Sequence, residues 1–375
     1  MRILLLGEYS NVHNTLAQGL RALGHDVVVA SGGDGWKNYK RDIDFQRNSL
    51  GRVATLGFFF RLARGFRRFR GFDVVQLINP VFIHLKAERI YPFYNYLRRH
   101  NKCIVLGAFG MDYYYATACL NFRTFRYSDF NFGCTERHSA DNDVFKRDWV
   151  DGPKGKLNKM MAADCDAIVA GLYEYYVSYE HQPVAKGKLH FIPFPIVTRK
   201  EMKVPRRNVG DPLRFFIGVQ LSRSAYKGTD VMLRALERVK RERPDGCKVM
   251  IAESVPFAQY TKMLNESEVI LDQLYSYTPA MNALEAMSRG LINVGGAEPE
   301  NYEILNETEL RPIINVQPNE EDVYRQLLYL VDHRDELVPR LQRESMQYIE
   351  RHHEYRKVAA RYAALYESLL VKRKQ

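Results

Sequence analysis

The chain opens with a pattern that few architectures accept. Ile3 to Leu6 is a continuous apolar run, as a strand covered on both faces requires. Leu16, Leu20 and Leu23 then repeat at helical spacing, the helix stops at Gly24, and Val27 to Ala30 forms the next strand. Strand, helix and strand at this spacing make a βαβ unit, the building block of a parallel sheet. Further apolar runs follow at Val74–Ile78, Cys103–Leu106 and Ala167–Ala170, and His190–Pro193 reads as a last strand ended by proline. Thr198 to Pro212 is polar, holds two prolines and lacks periodicity. The alternation restarts beyond it: strand Leu213–Val219, helix Thr229–Arg241, strand Lys248–Ala252, helix Gln259–Leu264, strand Val269–Leu271, helix Ala280–Arg289 and strand Leu291–Val294. The predicted fold class is therefore α/β, with two Rossmann-like domains. Residues 1–198 form the first, 199–212 the linker and 213–375 the second, and the helical C-terminus is a candidate to cross back to the first.

Length and charge sharpen this division. A chain of 375 residues exceeds one ordinary core of roughly 100–200 residues. Its 46% hydrophobic and 26% charged residues exclude a mostly disordered chain. Residues 1–200 hold 29 basic and 18 acidic side chains, so the whole net charge of +11 lies in the first half. No stacking platform or groove-reading motif accompanies that charge, which disfavours nucleic acid as a partner. The five cysteines are scattered without a C-x-x-C pair, as expected of reduced thiols in a cytoplasmic protein and not of a zinc site. The first apolar run is too short for a signal peptide, and no run approaches the ~20 residues of a membrane span.

The second half carries the sharpest motif. Leu271-Asp272-Gln273 ends a strand, a polar aromatic loop follows, and Leu284-Glu285-Ala286-Met287 through Gly290 lies on the next helix. N–H groups at that helix start suit a phosphate, and the Glu285 carboxylate suits vicinal ribose hydroxyls. Upstream, Arg223 and Lys227-Gly228 sit in the loop between a strand and a helix, where two cations would clamp a diphosphate. This combination resembles the retaining, nucleotide-sugar-dependent glycosyltransferases of GT-B fold (group 1, family 4-like). The order of elements agrees over essentially the whole chain. The resemblance implies parallel sheets facing across a cleft, with the second domain taking the donor through Arg223, Lys227 and Glu285. Val255 belongs to the loop expected near the nucleobase. One departure stands out: the first Glu of the family's E-x7-E motif, eight residues before Glu285, is Tyr277 here. Asp272, Gln273, Tyr277, Ala280 and Met281 are then the candidates to meet the donor sugar.

By the same resemblance the first half takes the acceptor. Its loop Gly7–Asn14 lacks G-x-G-x-x-G, which disfavours a dinucleotide site, and offers Ser10, Asn11 and His13 to the acceptor or the pyrophosphate. Asp112, just past a strand, stands where a general base would be needed. Between Phe45 and Phe72 there are seven arginines and no acid, and 56–70 plots as a basic amphipathic helix suited to an anionic membrane surface. The expected activity is transfer of a sugar from a nucleoside diphosphate sugar to a glycan or lipid-linked acceptor, without cofactor or metal, in bacterial surface polysaccharide synthesis. The expected location is the cytoplasm, at the inner membrane face. The alternatives are a non-catalytic nucleotide-sugar binder, which the missing Glu favours, and an epimerase on the same fold.

Overall fold

A computed structural model describes residues 1–46, 51, 57, 58, 60, 62, 64–198, 207–220 and 224–373. It divides into two compact units. Met1–Thr117, Val144–Pro195 and Tyr355–Gln375 make the first, and Ala118–Asp143 with Ile196–Glu354 make the second.

The first unit is built on seven parallel strands: β1 (Arg2–Leu6), β2 (Asp26–Ser31), β3 (Ile43–Asp44), β4 (Val74–Leu77), β5 (Cys103–Ala108), β8 (Ala167–Ala170) and β9 (Leu189–Phe191). Their order is β3-β2-β1-β4-β5-β8-β9. Ile3 to Leu6 are fully buried, which explains the unbroken apolar run: a central parallel strand is covered on both faces. The helix Val12–Ala22 packs on the C-terminal helix Tyr355–Lys372. Gly19 makes that approach possible, because a Cβ there would lie 2.5 Å from the Tyr355 carbonyl and 2.6 Å from Ala359.

The second unit holds a five-stranded parallel sheet, β10 (Leu213–Val219), β11 (Cys247–Glu253), β12 (Val269–Leu271), β13 (Ile292–Gly295) and β14 (Ile314–Asn315), in the order β11-β10-β12-β13-β14. Phe215, Ile217, Leu271, Leu236 and Leu327 fill one face of it. A two-stranded antiparallel hairpin, β6 (Asn131–Phe132) and β7 (Thr135–Glu136), belongs to this unit although it precedes the linker by some distance in sequence. That placement amends the predicted first domain of residues 1–198: Ala118–Asp143 leaves it and packs with the second unit. We call this excursion the strap.

The predicted basic helix 56–70 falls partly outside the described residues. Among those described, Phe58, Leu62 and Phe69 are buried, and Phe66 and Phe69 pack on Phe93 with ring centroids 5.2 and 5.4 Å apart. Much of its apolar side therefore serves the core of the first unit, while Arg64, Arg67, Arg68 and Arg70 are exposed together with Phe60. Residues 66–69 form a 3₁₀ turn. Among the described residues no helix is long and apolar enough to cross a membrane.

Candidate functional site

In an open parallel sheet, ligands bind beyond the carboxyl ends of the strands where the strand order reverses. In the second unit that point lies between β10 and β12. The loops that leave these two strands carry Lys227 and residues 272–280, the stretches singled out by sequence. Their backbones meet directly, with the Leu274 N–H donating to the Lys227 carbonyl at 3.0 Å. The Lys-Gly pair has a local reason. Gly228 begins the helix Thr229–Glu242 at φ 75°, and a Cβ there would come within 2.6 Å of Leu274 and 2.7 Å of Tyr275. Both its left-handed backbone and its lack of space require glycine. Arg223 lies outside the described residues.

Beyond β12, Asp272 is buried and accepts from Asn282 Nδ2 at 3.1 Å, while Asn282 Oδ1 accepts from the Tyr260 hydroxyl at 2.7 Å. Gln273 turns its carbonyl to the Gly296 N–H at 3.3 Å. The motif helix runs Met281–Ser288, one residue shorter at each end than predicted, with Ala280 as its N-cap. No side chain caps it and no acid stands in its first turn, although the buried Asp272 holds Asn282 at its start. Glu285 is on its second turn, partly exposed and paired with Arg289 at 2.5 Å, and Arg289 also holds Asn265. Val255 packs its side chain beside Tyr260 against the small core formed by Phe216, Ile270 and Leu291, so any base contact there belongs to the backbone.

Tyr277 is turned into the protein. It is 2% exposed, its hydroxyl accepts the Arg126 N–H at 2.6 Å, and the Phe125 and Tyr127 rings pack on it with centroids 5.7 and 5.0 Å away. Burial pushes its pKa up to about 12. The residue that replaces the motif's first Glu therefore faces the strap. Around it stands a charge cluster that sequence reasoning missed. Glu298 is buried and accepts from Tyr127 at 2.6 Å, Arg126 at 2.8 Å, Gln317 at 2.8 Å and Asn315 at 3.0 Å. Burial opposes its ionisation, but these four donors hold its pKa below the ordinary value. Arg126 also pairs with Glu300. The pairs span more than 170 residues, and no local pattern announces them.

In the first unit the strand order reverses between β1 and β4, and the loop after β1 lies there. Ser10 and Asn11 take left-handed backbones, φ 49° and 72°. Ser10 N–H donates to Asp34 at 2.9 Å and its hydroxyl accepts from Lys37 at 3.2 Å. Asn11 accepts from the Asn14 side chain at 2.8 Å. His13 is fully buried. Its Nδ1–H donates to the Gly7 carbonyl at 2.8 Å, and Nε2 has no hydrogen-bond partner among the described residues. Burial drives its pKa down to about 3, so the ring is neutral and presents a lone pair. Glu8, which the sequence reading passed over, accepts the N–H groups of His13 at 3.2 Å and Asn14 at 2.8 Å. Burial pushes its carboxyl up to about 8.

Asp112 does not serve as an open base. It is 1% exposed, one oxygen accepts the Tyr115 N–H at 2.8 Å and the other the Tyr179 hydroxyl at 2.7 Å. Burial raises its pKa to about 6 against these bonds. It caps the helix Tyr113–Leu120, whose first turn bonds back to it.

A separate cavity of about 720 Å³ lies beside the helix Pro299–Leu305, lined by Tyr302, Glu303, Glu307 and Arg311 among others, and none of the predicted site residues lines it.

No protein-family model and no curated protein sequence matches the chain. Solved structures do. Sucrose-phosphate synthase of Thermosynechococcus elongatus is similar with a TM-score of 0.65 at 11% identity, over 99% of this chain and 100% of that one. HepE of Anabaena, in complex with UDP and glucose, gives a TM-score of 0.61 at 9% identity over 98% and 100%. A glycosyltransferase of Rickettsia africae gives 0.55 at 12% identity over 98% of both chains. Two parallel α/β units with this order of elements, alike over their full length to glycosyltransferases, establish that the chain has the GT-B glycosyltransferase fold.

Proposed function

We propose that the chain is a glycosyltransferase moving a sugar from a nucleoside diphosphate sugar to a glycan or lipid-linked acceptor, with retention, in bacterial surface polysaccharide synthesis. The observation that supports it best is the meeting of Lys227 with the loop that leads from β12 to the Met281–Ser288 helix, at the reversal point of the second sheet. HepE, alike in fold, is solved with UDP and with UDP-glucose. Lys227, with Arg223, would neutralise the charge that develops as the bond from the sugar C1 to the diphosphate oxygen breaks. The acceptor oxygen bonds to C1 on the same face, and its proton passes to the departing diphosphate. Glu285 would leave Arg289 to accept the ribose hydroxyls. His13 Nε2, unprotonated and dry, would accept a hydrogen bond from a reacting hydroxyl and orient it. The reading invokes no cofactor and no metal. The exposed arginines of 64–70 would draw the first unit to an anionic surface on the cytoplasmic side chiefly by charge, since Phe58, Leu62 and Phe69 are spent on its core and Phe60 is exposed.

A thermal-shift and calorimetric screen against UDP, GDP and their sugars tests the reading. Binding is expected for one nucleotide class, and Glu285→Ala should weaken it at least about tenfold, or 1.4 kcal/mol. Failure of every nucleoside diphosphate to bind would remove the proposal. The burial of Tyr277 beneath the strap favours one alternative, a binder without turnover, which would show tight nucleotide binding but no transfer across a broad acceptor panel.

A further inference from the structure

We infer that the strap Ala118–Asp143 is a working part of the donor site: it fixes the loops after β10 and β12 against each other, with Arg137 and Tyr277 as positioning residues. The inference rests on the donor-site reading above and adds to it the device that sets the site's geometry.

Arg137 touches three things at once. Its guanidinium donates to the strap's own Ser128 and Asp129 carbonyls at 2.9 and 3.0 Å. It donates to the Ala225 carbonyl at 2.8 Å, two residues before Lys227. It also stacks on the Tyr275 ring, 3.3 Å from the centroid, in the loop after β12. One planar cation thus bridges both loops, and its fork and flat face are both used. Asp129 reinforces the same bridge by accepting from the Tyr226 hydroxyl at 2.7 Å. At the other end of the strap, Tyr277 accepts the Arg126 N–H and Arg126 pairs with Glu298 and Glu300.

The strap is itself well braced. Asn131 Nδ2 donates to the carbonyls of Phe125 and Gly133, each at 3.0 Å, and β6 pairs with β7. A stiff element that grips the residues flanking Lys227 and the motif position 277 presets the spacing of diphosphate-binding groups, and such preorganisation acts on donor binding before any chemistry. It also accounts for the lost glutamate. Position 277 is an attachment point for the strap, where the phenol packs against Phe125 and Tyr127 and accepts the Arg126 N–H.

Arg137→Lys and Arg137→Gln, with the mild Tyr277→Phe as a second site, test this. In each ligand-free variant, hydrogen exchange at amides 224–228 and 272–280 should accelerate relative to wild type, together with that of the Arg126 amide in Tyr277→Phe. The Kd for the nucleoside diphosphate that wild type binds should rise about tenfold in Arg137→Lys, with kcat at saturating donor within about threefold, the split expected of a group that acts through loop position. A purely structural brace would lower Tm and leave loop exchange and Kd unchanged in all three variants, and that result would overturn the inference. If wild type binds no nucleoside diphosphate, the donor-site reading fails, and the exchange measurement still decides whether the strap holds the loops.

Discussion

The loop after β1 and the loops after β10 and β12 lie where the strand order of their sheets reverses, yet the helix starts they lead to are filled differently. In the first unit the helix Val12–Ala22 begins under Glu8, whose two oxygens already take the N–H groups of His13 and Asn14. In the second unit the helix Met281–Ser288 begins with neither a capping side chain nor an acid. A helix start is an anion site only while its N–H groups are uncommitted. The first unit has committed its helix start to a carboxyl group, beside which the buried His13 ring is neutral. The second leaves the start of its motif helix without a side-chain cap, and the loop that leads toward it donates the Leu274 N–H to the Lys227 carbonyl.

The largest effect that would break this comparison is at His13. Replacing it with Ala should lower turnover on the order of 10²-fold while leaving nucleotide affinity within about twofold. A loss of nucleotide binding instead would move the pyrophosphate to the first unit. The next effect sharpens the role of Glu8. An unfolded chain releases this proton near the ordinary 4.5 and the native chain near 8, so the native state binds more protons between those values and loses stability as pH rises through them. Glu8→Gln cannot ionise, and its stability should fall less than that of wild type between pH 5 and 8, by on the order of 3 kcal/mol. An unchanged slope would show that Glu8 is not the titrating group. The smallest effect on activity is expected at Asp112. Asp112→Asn should cost about 1 kcal/mol of stability through the weakened cap, yet hold turnover within about threefold. A collapse of turnover with an unchanged Tm would restore it as a catalytic group.

How far the sequence carried differs along the same lines. β1 and β10 were legible because a strand buried on both faces must be apolar throughout, and the Lys227-Gly228 and Glu285 motifs because a strand–loop–helix fixes them locally. Asp112 misled because a carboxylate after a strand has the same appearance whether it serves a substrate or a helix start; only the Tyr179 hydroxyl, distant in sequence, decides. Glu8 lacked any motif, and its meaning comes from burial. The strap was illegible for a further reason. Residues 118–143 have no helical or alternating period, and what stabilises them are pairs such as Tyr127 with Glu298 that close across the linker. Tyr277 looked like a broken motif until its partner Arg126 was in place.

The central claim is that the anionic donor belongs to the second unit, and a titration of the bound nucleoside diphosphate into Lys227→Gln and Glu8→Gln tests it most directly. The account predicts that Lys227→Gln raises Kd at least about tenfold while Glu8→Gln changes it by less than about twofold. Undiminished affinity in Lys227→Gln, or a large gain or loss in Glu8→Gln, would contradict it.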